Sequence, residues 1–392
     1  MPISSFTMSR LVALLCLIAL PLSAPAAFAQ ATPCKEPATT ATVDMPAAPF
    51  GMASTADACW IFVSLAYDKG HGGIAVLHNE NGAFKLVRVQ ALDAAAFGES
   101  LSSDGKLLAV ATEAGVSVLD AARLESGDGT ALLGTLSDGG DAGYIETAVT
   151  ADGHLLFVSE ESNRRLGVFD LAKAREHDFK GDALIGHVPT GLGPVGLAFS
   201  PDGNALYSVS EVTPPALKLP ASCDAESAQQ RQHSPGLLIR IDTAKAATDP
   251  AKAAIAFASA GCNPVRVAVS PDGSDVWVTA RGENALLRLS TADMQPGRTD
   301  RHWNRYAAGP SPVGLAIRGD GQQVWVTDSN RFQKAGEQAG LAGWEIGSSA
   351  SAKRFSIPLD GFPRELIFLP RSQTLVTTLY AGKKVVFVPT GK

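Results

Sequence analysis

The sequence predicts an all-β seven-bladed propeller, with four antiparallel strands per blade and the last blade closed by the N-terminal strand. Three observations predict it. The run Pro194-Val195-Gly196-Leu197-Ala198-Phe199-Ser200-Pro201-Asp202-Gly203 recurs without a gap from Pro264 to Gly273 and from Pro312 to Gly321. Weaker copies lie at Pro49–Ala58, Ala96–Gly105 and Tyr144–Gly153, and a degenerate one begins at Pro363. The spacing is about 48 residues, which is the period of a radial array of small sheets. Third, each period holds several short apolar runs separated by turn residues, too small to bury its own faces without a stacked neighbour.

The elements follow in order within each period. In the fifth, Val265–Ser270 reads as an apolar strand and Pro271-Asp272-Gly273 as a tight turn. There Pro presets φ, Asp bonds its own backbone and Gly takes φ > 0. Asp275–Ala280 is the next strand, Gly282-Glu283-Asn284 the next turn, and Ala285–Ser290 alternates as a third strand. A fourth strand precedes the next repeat, as at Ala183–Val188. The seventh repeat ends near Val385–Val388 with three strands. Thr39–Met45 has strand character and supplies the fourth, which removes an open sheet edge.

Two segments break the period. Glu211–Gly236, with four prolines, and Asn330–Gly343, rich in glycine, both fall between the second and third strands of their blades. Those loops share a face with the connections between blades. Loops of that length are usually functional or disordered.

Residues 1–29 read as a signal peptide: Arg10, the apolar run Leu11–Leu20, then the small-residue box Ala27-Phe28-Ala29, with cleavage after Ala29. No later stretch is apolar enough to span a bilayer. The domain expected is therefore a single propeller over residues 30–392, periplasmic or secreted, and monomeric. The chain is 45% hydrophobic and 18% charged, with a formal net charge of −6. Without Arg10 it carries 32 basic against 39 acidic residues and no basic run, which argues against nucleic acid as partner. Four cysteines remain: Cys34, Cys59, Cys223 and Cys262. An even number in an exported chain favours disulfides. Three pairings are possible; placement by face favours Cys223 with Cys262 and Cys34 with Cys59.

No nucleophile, cofactor or metal motif stands out. Gly191-Leu192-Gly193-Pro194-Val195-Gly196 fits GxGxxG but precedes a strand and contains Pro, so a dinucleotide site is not expected. Gly-x-Ser-x-Gly is absent. The histidines show no HxH or HExxH spacing and read as surface or loop residues. No cofactor and no metal is expected. The aromatics Phe62, Phe157, Tyr207, Trp277 and Trp325 recur at one place in the second strand, as packing between blades requires. Trp303 and Trp344 fall outside that pattern and are candidates for surface recognition.

The combination Ser-Pro-Asp-Gly, then Val-Trp-Val-Thr or Leu-Phe-Val-Ser, then Asn, then an alternating strand ending in Asp-Thr or Ser-Thr resembles the YVTN-repeat propellers. Val276-Trp277-Val278-Thr279 with Asn284 is the best copy. The resemblance implies a fold shared with lactonase-type propellers similar to 6-phosphogluconolactonase and with repeat proteins of no known reaction. The lactonase group carries Pro-Arg-His at a blade start; here the element reads Pro363-Arg364-Glu365.

The candidate site comes from comparing repeats. The third residue of the inner-strand motif is Gly51, Gly98, Glu146, Gly196, Arg266, Gly314 and Glu365. Small residues suit strands that crowd an axis; Glu146, Arg266 and Glu365 replace them with charges, which must be paired, hydrated or bound. Arg364 lies beside them, Glu99 sits one place later in its repeat, and Glu113, Glu161, Glu211, Arg281 and Asp328 end second strands. The reading is a binding or interaction module for a small polar ligand or a protein partner, with Glu146, Arg266, Arg364 and Glu365 at the channel mouth. The alternative is a lactonase-like hydrolase using the channel carboxylates.

Overall fold

A computed structural model describes residue 1 and residues 32–391, apart from 69, 221–222, 224–233, 299–300, 333–334 and 347–353. Residues 2–29 of the expected signal peptide lie outside the described residues, as do 221–222 and 224–233 of the first insertion. Seven four-stranded sheets form a ring. Blade one holds β2 (Ala48–Ser54), β3 (Trp60–Ala66), β4 (Gly72–Glu80) and β5 (Ala83–Leu92). Blade two holds β6 (Ala96–Leu101) to β9 (Leu132–Leu136), and blade three β10 (Tyr144–Val149), β11 (Leu155–Glu160), β12 (Arg165–Asp170) and β13 (Leu184–Pro189). Blade four runs from β14 (Leu192–Phe199) through β15 (Ala205–Val212) and β16 (Pro235–Asp242) to β17 (Ala254–Cys262). Blade five runs from β18 (Pro264–Val269) through β19 (Asp275–Ala280) to β21 (Asn304–Ala307), and blade six from β22 (Pro312–Ile317) through β23 (Gln323–Asp328) and β24 (Gly340–Glu345) to β25 (Arg354–Pro358). Blade seven joins β26 (Pro363–Phe368), β27 (Thr374–Leu379) and β28 (Lys384–Pro389) to β1 (Ala41–Asp44), with Ala41 opposite Phe387. The expected closure by the N-terminal strand is present.

Each inner strand ends in the expected turn. In blade four the Ser200 hydroxyl donates to Asp202 Oδ1 at 2.5 Å, the Asn204 amide donates to the same oxygen at 3.1 Å, and Gly203 sits at φ +72°. The Asp272 carboxyl, bonded by the Ser270 hydroxyl and the Ser274 amide, is held down at about 2. Blades one and seven lack the glycine, yet Ala58 and Arg371 hold the same left-handed conformation at φ +56°. The Asp that ends a third strand caps a short helix: Asp120, Asp170 and Asp242 each accept from helix amides through their side chains. GxGxxG is turn and strand: Gly191 precedes β14 and the remaining residues lie within it.

The core lies between blades. The repeated aromatics Phe62, Phe157, Tyr207, Trp277 and Trp325 are all buried, and truncating such a residue costs about 3–5 kcal/mol. Trp277 and Leu286 of blade five pack with Val324, Ala342 and Trp344 of blade six. Trp344 is therefore a core residue, with its ring 6.1 Å from that of Tyr306, and not the surface reader its position suggested. Trp303 is half-buried against the cluster between blades four and five.

Every inner strand carries a bulge at the same place, between its first and fourth motif residues. The bulge frees an amide from the ladder. In five blades a hydroxyl of the second strand accepts from it: Ser64 from Gly51, Ser159 from Glu146, Thr279 from Arg266, Thr327 from Gly314 and Thr378 from Glu365. Four of these hydroxyls also donate to the inner strand of the next blade, at the carbonyls of Phe97, Val313, Arg364 and, from blade seven back to blade one, Phe50. A buried donor left unpaired costs about 1–3 kcal/mol. Thr327→Val should therefore lower the unfolding free energy by about that amount, read as a lower urea midpoint at unchanged slope, while Thr327→Ser stays near wild type. A valine variant with the wild-type midpoint would refute the role.

Candidate functional site

Inner strands start on the face that bears the connections between blades and run toward the Pro-Asp-Gly turns, so their first residues form the channel mouth. There the structure brings Glu146, Arg266 and Glu365 together. Arg266 Nη2 lies 2.8 Å from Glu365 Oε2 and 3.1 Å from Glu146 Oε2, and its Nε lies 3.3 Å from Glu365 Oε2. These residues belong to blades three, five and seven, which are not neighbours; their side chains meet only across the axis. Arg266 is 7% exposed. Burial opposes its charge, but the two carboxylates outweigh burial and raise its pKa.

Glycine makes the space. Around the ring the third motif residues read Gly, Gly, Glu, Gly, Arg, Gly, Glu, so each charged residue follows a glycine blade. A side chain at Gly98 would collide with the Glu146 carboxylate, one at Gly196 would crowd the Arg266 backbone, and one at Gly314 would meet the backbone at Arg364 and Leu366.

Two further groups complete the cluster. Glu99 is buried, and neither carboxylate oxygen has a hydrogen-bond partner among the described residues; the nearby Ala53 amide favours its charge without closing a bond. Desolvation and the neighbouring Glu146 push its pKa well up. Arg364 lies with its guanidinium carbon 3.5 Å from the Phe50 ring centre and 5.9 Å from that of Tyr380, and its Nε has no hydrogen-bond partner among the described residues. Desolvation and the neighbouring Arg266 bring its pKa down to about 9. Desolvation, resisted by Arg266, pushes Glu146 up to about 7. Three acids and two bases thus share one water-poor volume.

The second-strand ends divide. Arg281 bonds Glu211 at 2.6 Å and Asn263, and Glu161 is raised by burial and by Glu211 while Arg281, Arg364 and Arg331 oppose the shift. This is a second polar tier at the mouth, and Arg331 joins it from the second insertion. Glu113 is exposed. Asp328 does not belong to this tier. Its register partner is Pro312, as that of Glu160 is Tyr144, so it is equivalent to Glu160 rather than Glu161. One step along a strand reverses the side chain's face. Asp328 accepts from the Gly309 amide at 2.8 Å, and desolvation raises it to about 7.

Both expected disulfides are present, Cys34–Cys59 and Cys223–Cys262. No helix of the described residues is long and apolar enough to cross a membrane. Sequence reasoning missed the aromatic support of Arg364, Arg331, and a buried group in blade three formed by Asp138, Glu160, Arg165 and His187. His187, expected as a surface or loop residue, sits in β13 beside two carboxylates.

No family model matches the chain, and no curated protein matches it. Solved structures do, 1259 chains of them. Kuenenia stuttgartiensis hydrazine synthase matches at TM-score 0.62 and 14% identity, over 93% of this chain and 99% of that one. The Cps50 (Swd1) β-propeller domain of Myceliophteria thermophila matches at TM-score 0.60 and 12% identity, over 88% and 98%. Likeness at such identity shows the propeller fold and nothing of the chemistry.

Asp328 gives a pH prediction. Its pKa is raised in the folded chain from the ordinary 3.8 to about 7, so the folded state holds the proton more tightly. The associated stability is full below about pH 4 and is lost as pH rises to about 7, on the order of 4 kcal/mol. Asp328→Asn keeps the acceptor for Gly309 and should be more stable than wild type at pH 8 but not at pH 4. Parallel stability profiles for the two proteins would refute this.

Proposed function

We propose that the protein is an exported propeller of YVTN type that acts as a binding module. Its recognition site is the channel mouth around Glu146, Arg266, Arg364 and Glu365, on the face that carries the two insertions. One observation carries the reading: within a cluster closed across the axis, the Glu99 carboxylate and the Nε of Arg364 are buried with no hydrogen-bond partner among the described residues. Buried polar groups are normally satisfied, and a small polar ligand entering the mouth supplies what the protein does not. Mixed acids and bases suit a neutral or zwitterionic ligand better than a phosphorylated one. Export after Ala29 accords with two disulfides, which persist in oxidising compartments. The lactonase reading gains only the pKa of Glu146 near 7, suited to a general acid or base. At the blade start, the place of the lactonase group's histidine holds Glu365, tied to Arg266.

The test is calorimetry of the exported protein against hexoses, amino acids, betaine and sugar phosphates, with hydrolysis assays on sugar lactones. Glu146→Gln is the variant of choice. Replacing Glu365 as well would leave Arg266 buried without a counter-charge, at about 3–5 kcal/mol. Binding of a neutral or zwitterionic compound, weakened about tenfold or more by Glu146→Gln while the melting curve holds, is the expected result. Unchanged binding in the variant moves the site elsewhere. Lactone turnover abolished by Glu146→Gln would replace the module with the hydrolase.

A further inference from the structure

The second buried cluster lies in blade three, away from the axis, and the binding reading does not use it. Asp138 comes from the connection between β9 and β10, Glu160 from the end of β11 and His187 from the middle of β13. Their side chains are 3%, 0% and 27% exposed. His187 Nε2 lies 3.2 Å from Asp138 Oδ2 and 3.6 Å from Glu160 Oε1, and the three atoms all lie within 4.8 Å of one another.

The other oxygens are already committed. Tyr144 donates to Asp138 Oδ1 at 2.5 Å. Arg165 Nε donates to Glu160 Oε2 at 2.6 Å and Asn163 donates to the same oxygen at 3.3 Å, while Arg165 Nη2 pairs with Asp138 Oδ2, the oxygen that also faces His187 and keeps a second lone pair for it. These contacts hold the carboxylates in place as outer partners hold metal ligands. Glu160 Oε1 alone is buried with no hydrogen-bond partner among the described residues, and it faces His187. A protonated His187 does not repair this, because one N–H serves Asp138 and 3.6 Å is too long for a hydrogen bond. With neutral histidine the group of two carboxylates and one guanidinium has a net charge of −1. For metal–ligand bonds of about 2.0–2.2 Å, the edge of a tetrahedron is about 3.3–3.6 Å. The two distances from Nε2, 3.2 and 3.6 Å, lie close to that edge.

We propose that Asp138 Oδ2, Glu160 Oε1 and His187 Nε2 bind a first-row divalent cation, with Zn2+ as the best fit and water as the fourth ligand. One imidazole and two carboxylates form a donor set for zinc or manganese rather than for calcium, which takes oxygen alone. The ligands lie in three separated segments, so no sequence spacing discloses them.

The test uses the exported full chain, stripped with chelator and titrated calorimetrically with Zn2+ and Co2+. One equivalent should bind, and Glu160→Gln and His187→Gln should each weaken binding by about a hundredfold or more, since losing outer partners alone costs 10–100-fold. Bound Co2+ should show the visible bands of a four-coordinate site and shift the proton resonances of one imidazole; this wild-type measurement stands even if a variant fails to fold. No binding at millimolar Zn2+, unchanged affinity in both variants, or Co2+ binding without a shifted imidazole would each overturn the proposal.

Discussion

The ring depends on the hydroxyl that the second strand places behind the bulge in five of the seven blades. A bulge lets the inner strand present its third motif residue to the axis, but it takes an amide out of the ladder. Serine or threonine accepts from that amide and, in four blades, donates to the carbonyl of the next blade. One group therefore satisfies an intrablade donor and makes an interblade bond. In blades two and four the equivalent residues are Ala111 and Val209, both buried in apolar clusters. Because the bulge recurs in register, the axial residues of all seven blades fall at one depth, which lets Arg266 reach carboxylates two blades away on either side.

That geometry explains why the charges occur where they do. Arg266 keeps its charge although it is buried, and that demands carboxylates at short range. Glu146 and Glu365 meet that demand. Arg364 is held differently, by the faces of Phe50 and Tyr380. The mouth thus contains one fully compensated cation and one supported by aromatic faces, beside Glu99, whose charged form burial and like charge both disfavour. The second tier, with Glu161, Glu211 and Arg281, repeats the mixture nearer the surface.

The repeat made the architecture legible down to individual strands, including the closing one, because turn chemistry and strand alternation recur in every period. Comparing equivalent positions also found Glu146, Arg266 and Glu365, since glycine is the expectation there. It did not say that they contact one another; Arg266 and Glu365 are 99 residues apart, and only the circular arrangement joins them. Asp328 was misread for a local reason, a shift of one residue in alignment, which on a strand exchanges channel mouth for sheet interior. Trp344 looked like a surface residue because its neighbouring insertion obscured that β24 is a core strand. His187 carried no local signal, because its partners come from a connection and from another strand.

The closure of the last blade also sets an order of events. Ala41 pairs with Phe387, so the outer seam of blade seven joins segments that lie far apart in the sequence. Blades one to six can assemble as neighbours emerge, whereas the seventh must wait, with one face of blade six and one of blade one still wet. Contacts of such sequence separation form slowly. The Cys34–Cys59 bridge bears on this wait. It anchors the segment just before β1 to the turn that follows β2, which keeps the closing strand beside the gap and shortens the search for β28. The bridge thus works as a mooring during assembly, and the oxidising state of the compartment becomes a condition for how fast the ring shuts.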